Sequence, residues 1–138
     1  MKAIIYHSNS NKKRSETVAF SFDGDRYEVK PVKQYKSTFM QMLMYGYKTT
    51  FKKRVEYVHV GIDFDKYKEI VLVSPVWAGK VNAVMRTFLL DHKFHDKKVT
   101  LVGTSDGENN KYFESYKGLI DGCCEIVGTD LYIKGNKK

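Results

Sequence analysis

The stretch from Glu69 to Lys80 constrains most tightly what this chain can fold into. Ile70, Val71, Leu72 and Val73 follow one another without a polar residue between them. An apolar run with no alternation reads as a strand buried on both faces. It passes into Ser74-Pro75-Val76-Trp77-Ala78-Gly79, which holds a proline, the single tryptophan of the chain and a glycine. Val81, Val84, Met85, Phe88 and Leu89 then recur at helical spacing. Open α/β sheets bind ligands in loops at the carboxyl ends of their strands. Trp77 in such a loop offers a flat face to a planar ligand, and Gly79 lets a ligand approach the backbone closely.

The rest of the chain repeats the pattern. The spacing predicts strands over 2–8, 26–32, 68–76, 97–104 and 123–134, and helices over 15–22, 82–91 and 109–120. Ser15 is a candidate helix cap, Asp23-Gly24-Asp25 a turn, and Tyr57 to Phe64 a connector. Alternating strands and helices argue for a parallel sheet covered by helices on both faces. A chain of 138 residues fits one domain, spanning 1–138, and buries most of its apolar surface without staples. No apolar run reaches the roughly 18 residues of a membrane span, and the start reads as a core strand, not a signal peptide.

Residues 33 to 54 carry Lys33, Lys36, Lys48, Lys52, Lys53 and Arg54 and no acid. Phe39, Met40, Leu43, Met44, Tyr47 and Phe51 share one helical face there. Two readings stand: a helix covering the sheet with its lysines in water, or a methionine-rich surface for a partner chain or substrate. The net charge of +8 likewise fits either a solubilising surface or docking to an acidic partner. No nucleic-acid reader module is recognisable, so nucleic acid is a minor alternative. The only two cysteines, Cys123 and Cys124, are adjacent, which disfavours a disulfide and points to reduced thiols and a cytoplasmic setting. His92 and His95 lack the carboxylate or cysteine pattern of a zinc site, Asp63 and Asp65 read as a solvated pair, and the glycine fingerprint of dinucleotide binding is absent.

Ser74-Pro75-Val76-Trp77-Ala78-Gly79, followed by Met85-Arg86-Thr87-Phe88-Leu89, resembles the second flavin-contacting loop and next helix of flavodoxin-like proteins. Lys2-Ala3-Ile4-Ile5-Tyr6-His7-Ser8 is similar to the first strand of that family as it enters the phosphate loop. Lys97 to Gly107 is similar to the fourth strand and third flavin loop, and Cys124 to Thr129 to the last strand. The resemblance runs over nearly the whole chain and is weakest between 20 and 66. It implies a three-layer, flavodoxin-like α/β domain with five parallel strands ordered 2-1-3-4-5. It also implies flavin mononucleotide (FMN) as a non-covalent cofactor.

For the site, the resemblance implies a phosphate cradle at Ser8, Ser10, Asn11, Lys12 and Lys13. Asn11, Lys12 and Lys13 stand where the family has glycine, asparagine and threonine. The second loop is Pro75, Val76, Trp77, Ala78 and Gly79, with Trp77 stacking on the flavin ring and the amides of Ala78 and Gly79 meeting its N5 edge. The third is Thr104, Ser105, Asp106 and Gly107, at the pyrimidine end. The implied function is electron transfer to a redox partner protein or small acceptor. Because flavodoxins that carry electrons are usually acidic, this basic chain points to an acidic partner. Two alternatives stay open: a nicotinamide-to-quinone type oxidoreductase, often with a homodimer interface, and a binding module without flavin. His7, beside the cradle, is either a structural histidine or a phosphate contact.

Overall fold

A computed structural model describes residues 2–7, 14–30, 56–77, 80–81, 83–92, 95–105, 112–116, 119–120, 124–133 and 136–137. The strands are β1 (Lys2–Tyr6), β2 (Asp25–Glu28), β3 (Glu69–Trp77), β4 (Lys80–Val81), β5 (Lys98–Ser105), β6 (Glu125–Ile133) and β7 (Asn136–Lys137). The α-helices are α1 (Arg14–Ala19) and α2 (Ala83–Asp91). Short 3-10 turns occupy Phe64–Lys66 and Phe113–Tyr116.

Five strands run in the order β2-β1-β3-β5-β6, every neighbouring pair parallel, which is the expected 2-1-3-4-5 order. Two short antiparallel strands add to it: β4 folds back on the end of β3, and β7 on the end of β6.

The apolar runs explain the layering. Side chains alternate across a strand. Ile70 and Leu72 of β3 therefore enter one core, with Ile5, Val99 and Leu101, while Val71 and Val73 enter the other, with Ile4, Tyr6 and Val102. Helix α2 covers the first face with Val84, Met85, Phe88 and Leu89, all fully buried. Each such burial contributes about 1.5–3 kcal/mol, so this face alone holds α2 to the sheet. Helix α1 covers the second face with Val18 and Ala19. The connector packs Tyr57, Val60, Ile62 and Phe64 against the α2 side, and the Val58 amide donates to the Lys30 carbonyl at 2.7 Å.

Several boundaries differ from expectation for local reasons. The strand predicted to end at 76 continues through Trp77, because β4 returns beside it and pairs Trp77 with Lys80. Helix α1 begins at Arg14, so Ser15 lies inside it and is not its cap. It stops at Ala19, where the Ser21 amide and hydroxyl both turn back onto the Val18 carbonyl. Strand β2 ends at Glu28, although Val29 still donates to the Tyr6 carbonyl at 2.8 Å. Within the helix predicted over 109–120, the structure describes a 3-10 turn. The Tyr112 carbonyl accepts both the amide and the hydroxyl of Ser115, which occupies it at the spacing of the tighter helix. The basic aromatic segment 33–54 lies outside the described residues, as does Cys123.

Gly24 sits in the predicted turn at φ +153°, where a Cβ would lie 2.5 Å from the Lys2 carbonyl oxygen. Only glycine permits that close passage beside β1.

Candidate functional site

The chain leaves β1 toward β2 and later returns to the opposite side of β1 as β3. The order therefore reverses between β1 and β3, and open α/β sheets bind their ligands at such a point, outside the carboxyl ends of the strands. Tyr6 pairs with Val73, and the His7 amide donates to the Val73 carbonyl at 3.0 Å. Strand β3 continues past this last described pair with β1, through Pro75 to Trp77. In a parallel ladder, alternate residues direct their backbone groups to the same neighbour. Val73 faces β1, so Pro75, two residues on, faces the side where β1 has ended. Pro75 has no N–H to donate there, and it stands past the last residue pair of β1 and β3, where a proline is tolerated.

Of the predicted site residues, Ser8, Ser10, Asn11, Lys12, Lys13, Ala78, Gly79, Asp106 and Gly107 lie outside the described residues. Their flanks do not. Segment 8–13 leaves the end of β1 beside Val73, residues 78–79 separate β3 from β4, and 106–111 follow β5 beside the end of β3. Pro75 pairs with Thr104, so the second and third segments start at adjacent strand ends. Val76 and Trp77 occupy the last two positions of β3, opposite Val81 and Lys80. Ser105 closes β5.

The Thr104 hydroxyl is buried and lies 3.0 Å from the Ser15 hydroxyl of α1. That side chain fastens the start of α1, just after segment 8–13, to the strand leading into 106–111. Ser15 read in the sequence only as a cap; its position beside β5 had no local signal.

His7 is buried, and its Nδ1–H donates to the Val29 carbonyl at 2.9 Å. Burial lowers its pKa from 6.5 to about 4, although the Val29 bond acts in the opposite direction. The ring is therefore neutral at pH 7. It is structural, tying the end of β1 to the end of β2 immediately before segment 8–13.

Beneath the end of β3 lies a buried polar group that the sequence reading missed. The Tyr112 hydroxyl reaches the Ser74 carbonyl at 3.3 Å and the Val102 carbonyl at 3.4 Å, and the Tyr116 hydroxyl lies 2.8 Å away. One proton serves both carbonyls if Tyr116 donates to Tyr112. Burial raises both phenol pKa values, so both stay protonated. Ser115 accepts the Val81 amide at 2.7 Å and donates to the Tyr112 carbonyl. Gly103 makes room for the tyrosine, since a Cβ there would lie 2.7 Å from Tyr112 Cε2. Tyr112 and Tyr116, four apart, are the only sequence trace of this arrangement.

The remaining candidates belong to the scaffold. His92 stacks on Phe88 with ring centroids 4.4 Å apart, beside a Tyr57 hydroxyl that donates to Asp91 at 2.8 Å. Asp63 caps the 3-10 turn at Phe64 by accepting the Asp65 amide. Among the described residues, no helix is long and apolar enough to cross a membrane.

No family model matches the sequence, and no curated protein matches it. Solved structures do. A flavoprotein from Lactobacillus acidophilus NCFM, crystallised in complex with FMN, is similar at TM-score 0.74 and 23% identity, over 94% of this chain and 91% of that one. A protein from Bacteroides eggerthii assigned as a flavoprotein is similar at TM-score 0.74 and 19% identity, over 94% and 86%. An azoreductase from Bacillus anthracis is more distant, at TM-score 0.50 and 14% identity, over 99% and 88%. The reversal of strand order at β1 and β3, the five parallel strands and these likenesses together identify the fold of this chain as flavodoxin-like.

Proposed function

We propose that this chain binds FMN without a covalent link and transfers electrons through it. The observation that carries the reading is the reversal of strand order between β1 and β3, where β3 continues past its last pair with β1 and ends in Pro75-Val76-Trp77. Support comes from the likeness, over nearly the whole chain, to a flavoprotein crystallised with FMN. The donor set also suits this ligand. Segment 8–13 brings two serine hydroxyls and two lysines to the phosphate. Trp77 brings an aromatic face to the ring.

In this reading, Ser8, Ser10 and Asn11 hydrogen-bond the phosphate, and Lys12 and Lys13 neutralise it. Pro75 and Val76 form a wall beside the ring, Trp77 stacks on it, and the amides of Ala78 and Gly79 meet its N5 edge. Ser105, Asp106 and Gly107 hydrogen-bond the pyrimidine end. Thr104 stands at the base of this loop, its hydroxyl engaged with Ser15 and its backbone paired between Pro75 and Tyr132. Bound FMN supplies one- and two-electron redox chemistry, while the protein holds it and sets its potential. The +8 charge suits a redox partner with an acidic docking face.

A second reading, a flavin-dependent oxidoreductase using a nicotinamide as donor, takes support from the likeness to an azoreductase. Anaerobic mixing of the FMN-loaded protein with NADH or NADPH separates the two. An electron carrier leaves the nicotinamide unoxidised for minutes and is reduced by dithionite. Multiple turnovers of nicotinamide oxidation with a quinone or azo acceptor would replace the carrier reading by the enzymatic one.

A further inference from the structure

The polar group under the end of β3 has a geometry that core packing alone does not require. Strands β3 and β4 flank residues 78–79, the segment assigned above to the N5 edge of the flavin. One short turn, 112–116, holds both sides of that hairpin. On the incoming side, the buried Tyr112 hydroxyl reaches the Ser74 carbonyl. On the outgoing side, the Ser115 hydroxyl accepts the Val81 amide at 2.7 Å. The two grips are joined, because Ser115 donates its own proton to the Tyr112 carbonyl. The same turn directly follows segment 106–111, assigned to the pyrimidine end.

We infer that Tyr112 and Ser115 are positioning residues for flavin binding, a clamp that fixes the β3–β4 hairpin relative to the third loop. This rests on the FMN reading above. Two paired residues on each strand make a hairpin too short to hold one conformation by itself. With Ser115 in place, Val81 has a fixed partner outside the hairpin, and the neighbouring Trp77–Lys80 pair is held with it. Without it, the hairpin samples arrangements that do not accept the ring, and apparent affinity falls in proportion to the competent fraction. The polar atoms serve this better than apolar packing would. Each grip is directional and is made to a backbone group, so it sets hairpin position irrespective of the side chains at 76–81.

The test compares Ser115→Ala, Ser115→Thr and Tyr112→Phe with the unaltered chain. Three quantities are read: FMN affinity, riboflavin affinity and hydrogen exchange at the Val81 amide without flavin. Ser115→Ala is expected to speed Val81 exchange and to weaken FMN and riboflavin equally, by about tenfold, because the phosphate cradle is untouched. Ser115→Thr keeps the hydroxyl and restores both. Tyr112→Phe removes one hydroxyl from the other grip and weakens both flavins in the same ratio, which keeps the test decisive if Ser115→Ala folds poorly. Faster Val81 exchange with flavin affinity unchanged within about twofold would overturn the clamp while leaving FMN binding intact. An unaltered chain that binds neither flavin would overturn the FMN reading and the clamp with it.

Discussion

Acid should weaken this fold through His7, and the size of the effect follows from its surroundings. The ring is buried, and its pKa falls from 6.5 to about 4. The unfolded chain therefore takes up a proton near pH 6.5, while the folded chain resists until about pH 4. Between those values the unfolded state binds more protons, so stability rises with pH. The contribution is fully present above pH 6.5, shrinks as pH falls and is wholly lost below about pH 4. At about 1.4 kcal/mol per pH unit, the gap from 6.5 to about 4 comes to about 3 kcal/mol. That is a large share of the roughly 5–15 kcal/mol typical of a domain. The assay is urea unfolding at half-unit steps from pH 7 to pH 4, for the unaltered chain and for His7→Asn. Asparagine keeps a donor for the Val29 carbonyl and does not titrate. The carboxylates titrate in both chains, so the difference isolates His7. It should change by about 3 kcal/mol across the window, with the unaltered chain losing more on acidification. A difference independent of pH, or one in which the unaltered chain gains stability on acidification, would refute the reasoning.

Gly103→Ala drives a methyl group toward the Tyr112 ring, which cannot retreat while its hydroxyl is held over β3, so thermal denaturation should show a loss of about 1–3 kcal/mol. An unchanged midpoint would mean the ring yields freely. Trp77→Ala should weaken FMN binding by about 1–3 kcal/mol, the range seen for aromatic stacking on nucleobases, and equal affinity in fluorescence titration would remove Trp77 from the ring contact. Lys12→Ala combined with Lys13→Ala should weaken FMN about tenfold more than riboflavin, because only FMN carries a phosphate; equal losses would remove the lysines from the cradle.

The layout of the sheet was legible because both-face burial leaves an unmistakable trace. Ile70 to Val73 are apolar on successive positions, and their side chains divide between the two cores. Helix α2 was equally plain, since Val84, Met85, Phe88 and Leu89 lie on one face. The β4 hairpin was not legible. Two paired residues impose no periodicity, and Trp77 read as loop because proline and glycine bracket it. The turn at 113–116 was missed for a related reason. Its departure from an α-helix depends on a serine hydroxyl occupying a carbonyl, and serine is common in both conformations.

In the site, the strand ends could be located from the pattern, but the contacts joining them could not. Ser15 to Thr104 and Tyr112 to Ser74 connect residues 89 and 38 positions apart, and no local rule reports such pairs. His7 lies between these cases. The sequence leaves it open between a structural role and a phosphate contact, and its burial and its partner at Val29 emerge only with the β1–β2 pairing.

Titration of purified, flavin-stripped protein with FMN, followed by flavin fluorescence, tests the central claim most directly. The account predicts quenching at one equivalent with submicromolar affinity, and weaker binding of riboflavin. No binding up to about a hundred micromolar, which is about −5.5 kcal/mol, would contradict it. The chain would then be a flavodoxin-fold binding module whose altered phosphate segment no longer holds FMN.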